Sequence, residues 1–186
     1  MLEKLYRQIE TRMEAAIEAT LREMSHVRTG RANPAILDKV IVEAYEQQMP
    51  LKQLATIGIP DAHTIVIKPF DKNTLANIER GISKSDVGLT PLNDGNLIRL
   101  NFPPLTAERR QELVKVIKKL AEEGRVSVRN VRRDANEEIK KLEKAKELTE
   151  DECRQAGDEV QKLTDKYIKK IDDAFEKKET EITQMR

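Results

Sequence analysis

Apolar residues recur in steps of three and four at Leu2, Leu5, Ile9, Met13, Ala16/Ile17, Leu21, Met24 and Val27. Each helical residue advances 100°, so these positions form one apolar stripe. The spacing predicts an amphipathic helix over 2–29, long enough to need a partner. Glu3 with Arg7 and Glu18 with Arg22 stand in the favourable i, i+4 order. Gly30 offers a left-handed turn at the helix end, and Pro34 drives Asn33 out of helical geometry. The helical period is lost between Gly30 and Leu105, and charge density falls well below that of the flanks. Strands are predicted over 36–45, 55–59 and 64–70. A short helix is predicted over 71–82, with Leu75, Ile78 and Ile82 on one side. Two further strands, 89–92 and 96–102, flank Asn93-Asp94-Gly95, a tight hairpin signal. Pro103-Pro104 closes this stretch of five or six strands.

The helical period resumes at 106, where Thr106 can cap the first turn, and continues to about 146. Its seam is Leu113, Ile117, Leu120, Gly124, Val128, Val131, Ala135, Ile139 and Leu142. Gly124 lies on that seam, where a small residue permits close approach of another helix at about 1 kcal/mol against alanine. Thr149 and Glu152 have capping-box spacing. The helix they start carries Ala156, Val160, Leu163, Tyr167, Ile171, Ala174/Phe175 and Ile182.

Three helices with one stripe each bury those stripes against one another. The expected fold is therefore α+β. Residues 1–29 and 106–186 form an elongated three-helix bundle, and 30–105 form a small mixed β/α/β domain inserted in it. The chain crosses between them twice, near 30–33 and 103–105. A short double linker permits rotation without separation, which makes Gly30, Arg31, Pro103 and Pro104 candidate hinge residues.

Charged residues make up 36% of the chain and aromatics 3%, a balance suited to long helices with wet outer faces. The net charge is only +1, so any anion site must come from local clustering. Such a cluster is Arg125-Val-Ser-Val-Arg-Asn-Val-Arg-Arg-Asp-Ala-Asn136. Arg125, Arg129 and Arg132 share one helix side, Arg133 is beside them, and no acid lies between Glu123 and Asp134. An unpaired arginine stripe on a stiff rod suits phosphate; the plain alternative is a solvated basic face. At about 1.5 Å per residue the stripe stands roughly 30–40 Å from the hinge. A second basic group gathers at the crossings: Arg28, Arg31, Arg109 and Arg110. Two arginines in a first helical turn oppose the macrodipole, so local stability does not explain them. They either bind RNA or brace the hinge.

No catalytic constellation is present. His26 falls in a helix and His63 in a loop, Cys153 is the single cysteine, and neither HExxH nor CxxC occurs. No Walker loop or GxGxxG appears, so nucleotide hydrolysis by this chain is not expected. The expectation is a cytoplasmic protein that is no enzyme, with no metal site and no membrane span. Tyr6, Tyr45, Phe70, Phe102, Tyr167 and Phe175 are scattered and are assigned to cores. That disfavours a stacking surface for single strands and favours folded RNA, read through its phosphates and shape. Two other classes compete. A coiled-coil adaptor leaves the arginines unexplained, and an enzyme housed in 30–105 lacks perturbed carboxylates to work with.

Several motifs point further. Arg28-Thr-Gly-Arg-Ala-Asn-Pro34, Pro69-Phe-Asp71, Asp94-Gly-Asn-Leu-Ile-Arg99, Pro103-Pro-Leu-Thr-Ala-Glu-Arg-Arg110 and the 125–136 segment resemble those of bacterial ribosome recycling factors, in register over the whole chain. The resemblance implies an L-shaped, monomeric translation factor with a mobile small domain. It implies binding to the large ribosomal subunit and its RNA after termination, and subunit separation together with elongation factor G. GTP is then hydrolysed by that partner, and the chain itself needs no cofactor. By matching position, Arg129 and Arg132 are the principal RNA contacts, supported by Arg133, Arg28, Arg31 and Arg110; Arg125 joins the same candidate site through the stripe.

Overall fold

A computed structural model of the chain describes residues 1–184. It is α+β and divides into two compact units: Met1–Val27 with Ala107–Gln184, and Arg28–Thr106. The expected hinge residues Gly30, Arg31, Pro103 and Pro104 all fall inside the limits of the second unit.

The first unit contains three helices, α1 (Leu2–His26), α3 (Ala107–Lys144) and α4 (Glu150–Thr183). The element between them in chain order, α2 (Leu75–Lys84), belongs to the second unit. Leu5, Ile9, Met13, Ile17 and Met24 of α1 are buried against Val128, Val131, Ala135 and Ile139 of α3 and Val160, Tyr167 and Ile171 of α4. Each fully buried side chain of this size contributes about 1.5–3 kcal/mol over leaving it in water. The seam is close to that predicted, but Ala121 is buried where Leu120 is only half-buried. Thr20 of α1 faces Gly124, and Arg12 of α1 pairs with Asp134 at 2.7 Å, so α1 and α3 run antiparallel. Arg125 of α3 meets Asp172 of α4 across the short 145–149 turn, so α3 and α4 also run antiparallel and α1 lies parallel to α4. The Tyr167 ring is fully buried, and its hydroxyl donates to Glu14 at 3.0 Å and Glu10 at 3.3 Å. A buried phenol thus keeps a polar partner at the bundle edge, and burial raises its pKa.

The capping box starts α4. The Thr149 Oγ1 accepts from the Glu152 N–H at 3.2 Å, and the Glu152 carboxylate accepts from the Thr149 N–H at 2.8 Å. The end of α1 differs from expectation. The helix stops at His26, and Gly30 lies beyond it rather than in its C-terminal turn. Gly30 does take φ +78°, and a Cβ there would meet Leu105 Cγ at 3.1 Å.

The second unit has two antiparallel sheets. One pairs β1 (Ile41–Ala44) with β2 (Gln47–Pro50). The other has order β3-β4-β6-β5, from β3 (Ala55–Asp61), β4 (Thr64–Pro69), β5 (Leu92–Asn93) and β6 (Ile98–Asn101). Helix α2 buries Leu75, Ile78 and Ile82, the predicted stripe, into a core with Val42, Ile65, Ile67, Ile98 and Leu100.

Two predicted strands come out shorter, and one strand was not expected. Only 41–44 of 36–45 is a strand, because Pro34 presets a 3₁₀ turn over Pro34–Leu37 and Asn33 Oδ1 accepts from the Ala35 N–H at 3.0 Å. Strand β2 was not predicted. Its turn residues Tyr45 and Glu46 take φ 52° and 60°, a conformation usually signalled by Asn-Gly. Of 89–92 only Leu92 pairs, joined by Asn93 from the predicted turn. The Asn93–Asp94 turn forms as expected: Asn93 Oδ1 accepts from the Gly95 N–H, and Asp94 Oδ1 from the Asn96 and Leu97 N–H groups, at 2.8–2.9 Å.

A Cβ at Gly124 would stand 2.6 Å from Thr20 Oγ1 and 2.9 Å from Thr20 Cγ2. Thr20 is β-branched and buried, so it has little freedom to yield. Gly124→Ala should destabilise the chain by about 1–3 kcal/mol, despite alanine's better helix propensity. Adding Thr20→Ala should restore thermal stability. Unfolding curves of the single and double variants check both steps.

Candidate nucleic-acid interface

The phase of the α3 seam decides where its arginines point. Gly124, Val128, Val131 and Ala135 face inward. Arg125, Arg129 and Arg132 stand next to that line and are half-buried along their stems, while Arg133 is exposed. At about 1.5 Å per residue, 125–133 occupy roughly 27–39 Å along α3 from its first residue. A rigid helix therefore displays four guanidinium groups within about two and a half turns.

The stripe is not unpaired, contrary to the sequence reading. Arg125 donates to Asp172 of α4 through Nε at 2.8 Å, with Nη2 paired 2.7 Å from the same oxygen, and to Glu122 through Nη1 at 3.1 Å. Arg129 donates to the other oxygen of Glu122 at 3.1 Å. The acids come from just outside the acid-free window and from another helix. Arg132 and Arg133 have no ion pair among the described residues. The open positive charge of the stripe therefore lies at its C-terminal half.

The second basic group separates into different roles. Arg28 donates to the Val87 carbonyl, 59 residues away, within the second unit. That is a bracing contact, made to a carbonyl rather than to an acid. Arg109 pairs with Glu112 at 2.8 Å. Arg110 is half-buried, whereas Arg31 is exposed and has no ion pair among the described residues. The segment around Arg31 is stitched to the β3–β4 turn: the Ala32 N–H donates to the Ala62 carbonyl at 2.7 Å, and His63 Nδ1 lies 3.0 Å from the Gly30 carbonyl. His63 thus has a structural partner in the Gly30 carbonyl.

Two aromatics assigned to cores are outside them. Tyr45 is 60% and Phe70 70% exposed, and the Tyr45 hydroxyl donates to Asp71 at 2.8 Å. Tyr45 sits at a left-handed turn position and Phe70 just past the end of β4, so neither inherits an inward strand position. Alternation alone could not have placed them. Among the described residues no helix is long and apolar enough to cross a membrane.

Comparison with known proteins agrees with this architecture. The family model described as ribosome recycling factor matches residues 20–183. The ribosome-recycling factor of Halalkalibacterium halodurans is 54% identical over 185 residues, 100% of both chains. That of Synechocystis is 56% identical over 176 residues, 95% of this chain and 97% of the relative. A solution structure of the ribosome recycling factor superposes with TM-score 0.81 at 43% identity, covering 99% of this chain and 98% of that one. Another, at 46% identity and TM-score 0.66 with 98% of each chain covered, belongs to models of the T. thermophilus ribosome recycling factor and the E. coli elongation factor G bound to the E. coli post-termination complex.

Hydrogen bonds from Arg125 and then Arg129 hold the Glu122 carboxyl below its ordinary range. A depressed folded pKa gives stability that is present above the unfolded value, about 4.3, and lost as pH falls through the folded one. The difference in Tm between the wild type and Glu122→Gln should therefore be small but measurable at neutral pH, and should close on acidification below about pH 4.3. Thermal unfolding across a pH series checks it.

Proposed function

The chain belongs to the ribosome recycling factor family, and we propose that it disassembles post-termination ribosomal complexes into subunits together with elongation factor G and GTP. In this reading α3 binds large-subunit ribosomal RNA, and the partner factor hydrolyses the GTP. The chain contributes no catalytic group, metal or cofactor, and acts as a cytoplasmic monomer. The observation that supports RNA binding best is Arg132 with Arg133: two adjacent cations on a rigid helix, without an ion pair among the described residues. Guanidinium suits phosphate because its planar fork donates two parallel hydrogen bonds. Arg129 and Arg125 extend the contact once their carboxylates are exchanged, and Arg31 and Arg110 add to it from elsewhere in the chain. Arg28 contributes by holding the 85–88 turn rather than by touching RNA, in keeping with its bond to Val87.

The chain passes between its compact units at Val27–Arg28 and Thr106–Ala107, and these crossings, together with the neighbouring 30–33 and 103–105 segments, serve as the hinge. Each unit has its own apolar core, which supports motion as two bodies.

Arg132→Ala should weaken large-subunit binding roughly 5- to 30-fold, about 1–2 kcal/mol, with the bundle still folded. It should also flatten the log–log salt dependence by up to about one unit. Binding to purified large subunits over a salt series measures both, and unchanged affinity and slope would remove Arg132 from the interface. Two-residue Gly-Ser insertions after Val27 and after Thr106 should spare that binding yet slow the conversion of model post-termination ribosomes to subunits by elongation factor G and GTP. Splitting at the wild-type rate would make the hinge incidental.

A further inference from the structure

Glu122 sets one carboxylate oxygen against each of two guanidinium groups. Its Oε2 is 3.1 Å from Arg125 Nη1, and its Oε1 is 3.1 Å from Arg129 Nη1. The two non-bridging oxygens of a phosphodiester could sit between the same arginines in the same way. Asp172 Oδ1 takes the other edge of Arg125, at 2.8 Å from Nε and 2.7 Å from Nη2. Two arginines of the stripe thus already carry anions in the free chain. Glu176 and Glu179 line the same α3–α4 hollow and add negative charge beside them.

We propose that Glu122 and Asp172 are internal phosphate surrogates, displaced when Arg125 and Arg129 take an RNA phosphate, and that they thereby limit how tightly the chain holds RNA. This rests on α3 being the RNA-binding face. Arg132 and Arg133 make the first contact, since no carboxylate engages them among the described residues. Arg125 and Arg129 follow by partner exchange. Their carboxylates return to water, and on dissociation they reclaim the arginines, so the complex has a built-in competitor. The pairs are partly exposed: Glu122 is 55% and Asp172 50% exposed at the side chain. Each pair is therefore weak enough to break, and removing one should change affinity by a small factor.

Salt dependence separates this role from a merely structural one. A phosphate contact releases counterions from RNA, whereas a freed carboxylate takes cations up. The two effects partly cancel in the wild type. Neutralising the carboxylates removes the cancellation.

The test uses the full chain and purified large ribosomal subunits. Wild type, Glu122→Gln, Asp172→Asn, the double variant and Arg132→Ala are titrated over a potassium chloride series, with thermal unfolding to verify folding. The two carboxylates lie on different helices, so a folding defect in one variant leaves the other to decide. Each carboxylate variant should bind about two- to five-fold more tightly, with a salt slope steeper by up to about one unit. Equal or weaker binding with an unchanged or flatter slope, while Arg132→Ala still weakens binding, would overturn the surrogate role alone; the acids would then be positioning the arginines. No effect of Arg132→Ala would overturn the RNA-binding reading beneath it.

Discussion

The contact between α1 and α3 is the constraint on which the first unit depends. The two helices are far apart in sequence, yet one apolar seam must close between them, with Gly124 seated on Thr20 and Arg12 on Asp134. A glycine in mid-helix costs about 1 kcal/mol of propensity, and closer packing offsets it. Once that seam is in phase, every outer position of α3 is assigned. Asp134 turns toward α1, and Arg125 turns toward α4. The arginine face is thus a by-product of core packing, held to the precision of the core rather than of a loop.

Electrostatics then work locally. A chain with a net charge of +1 has little long-range pull on any polyanion, so in the proposed reading capture depends on a few open cations. The bundle does not leave all four arginines open. Arg125 and Arg129 are covered by acids, and Arg132 and Arg133, further along α3, have no ion pair among the described residues. A gradient from paired to open charge along about two turns of helix cannot be expressed by composition, because it depends on which neighbour each side chain meets.

That difference marks what the sequence could and could not say. The helices were legible because their stripes repeat over many turns, and Gly124 and Thr149 were legible because one local rule governs each. The short strands were harder. The segment 36–45 looked like one strand, but Asn33 and Pro34 wind its start into a 3₁₀ turn. Strand β2 was hidden because Tyr45 and Glu46 make its turn with positive φ and no glycine. Tyr45 and Phe70 were misplaced for the same reason: aromatic identity suggests a core, but chain ends and turns break the alternation that would put them there. The arginines were found as a group and misjudged as unpaired. Glu122 lies just outside the acid-free stretch, and Asp172 is 47 residues from Arg125 on another helix.

A recycling role makes that pairing intelligible. In the proposed function the chain must release its site after acting, and four uncompensated arginines on phosphates would favour residence over turnover. Weakly held internal acids address this without lengthening the interface or loosening the fold. They also keep Arg125 from standing unpaired, since its side chain is only 22% exposed and burial of a lone guanidinium is costly. The same two carboxylates thus serve the free state by satisfying a half-buried charge and the bound state by competing for it. Removing both would act on both states: the bundle would lose its partners for Arg125, and the complex would lose its competitor.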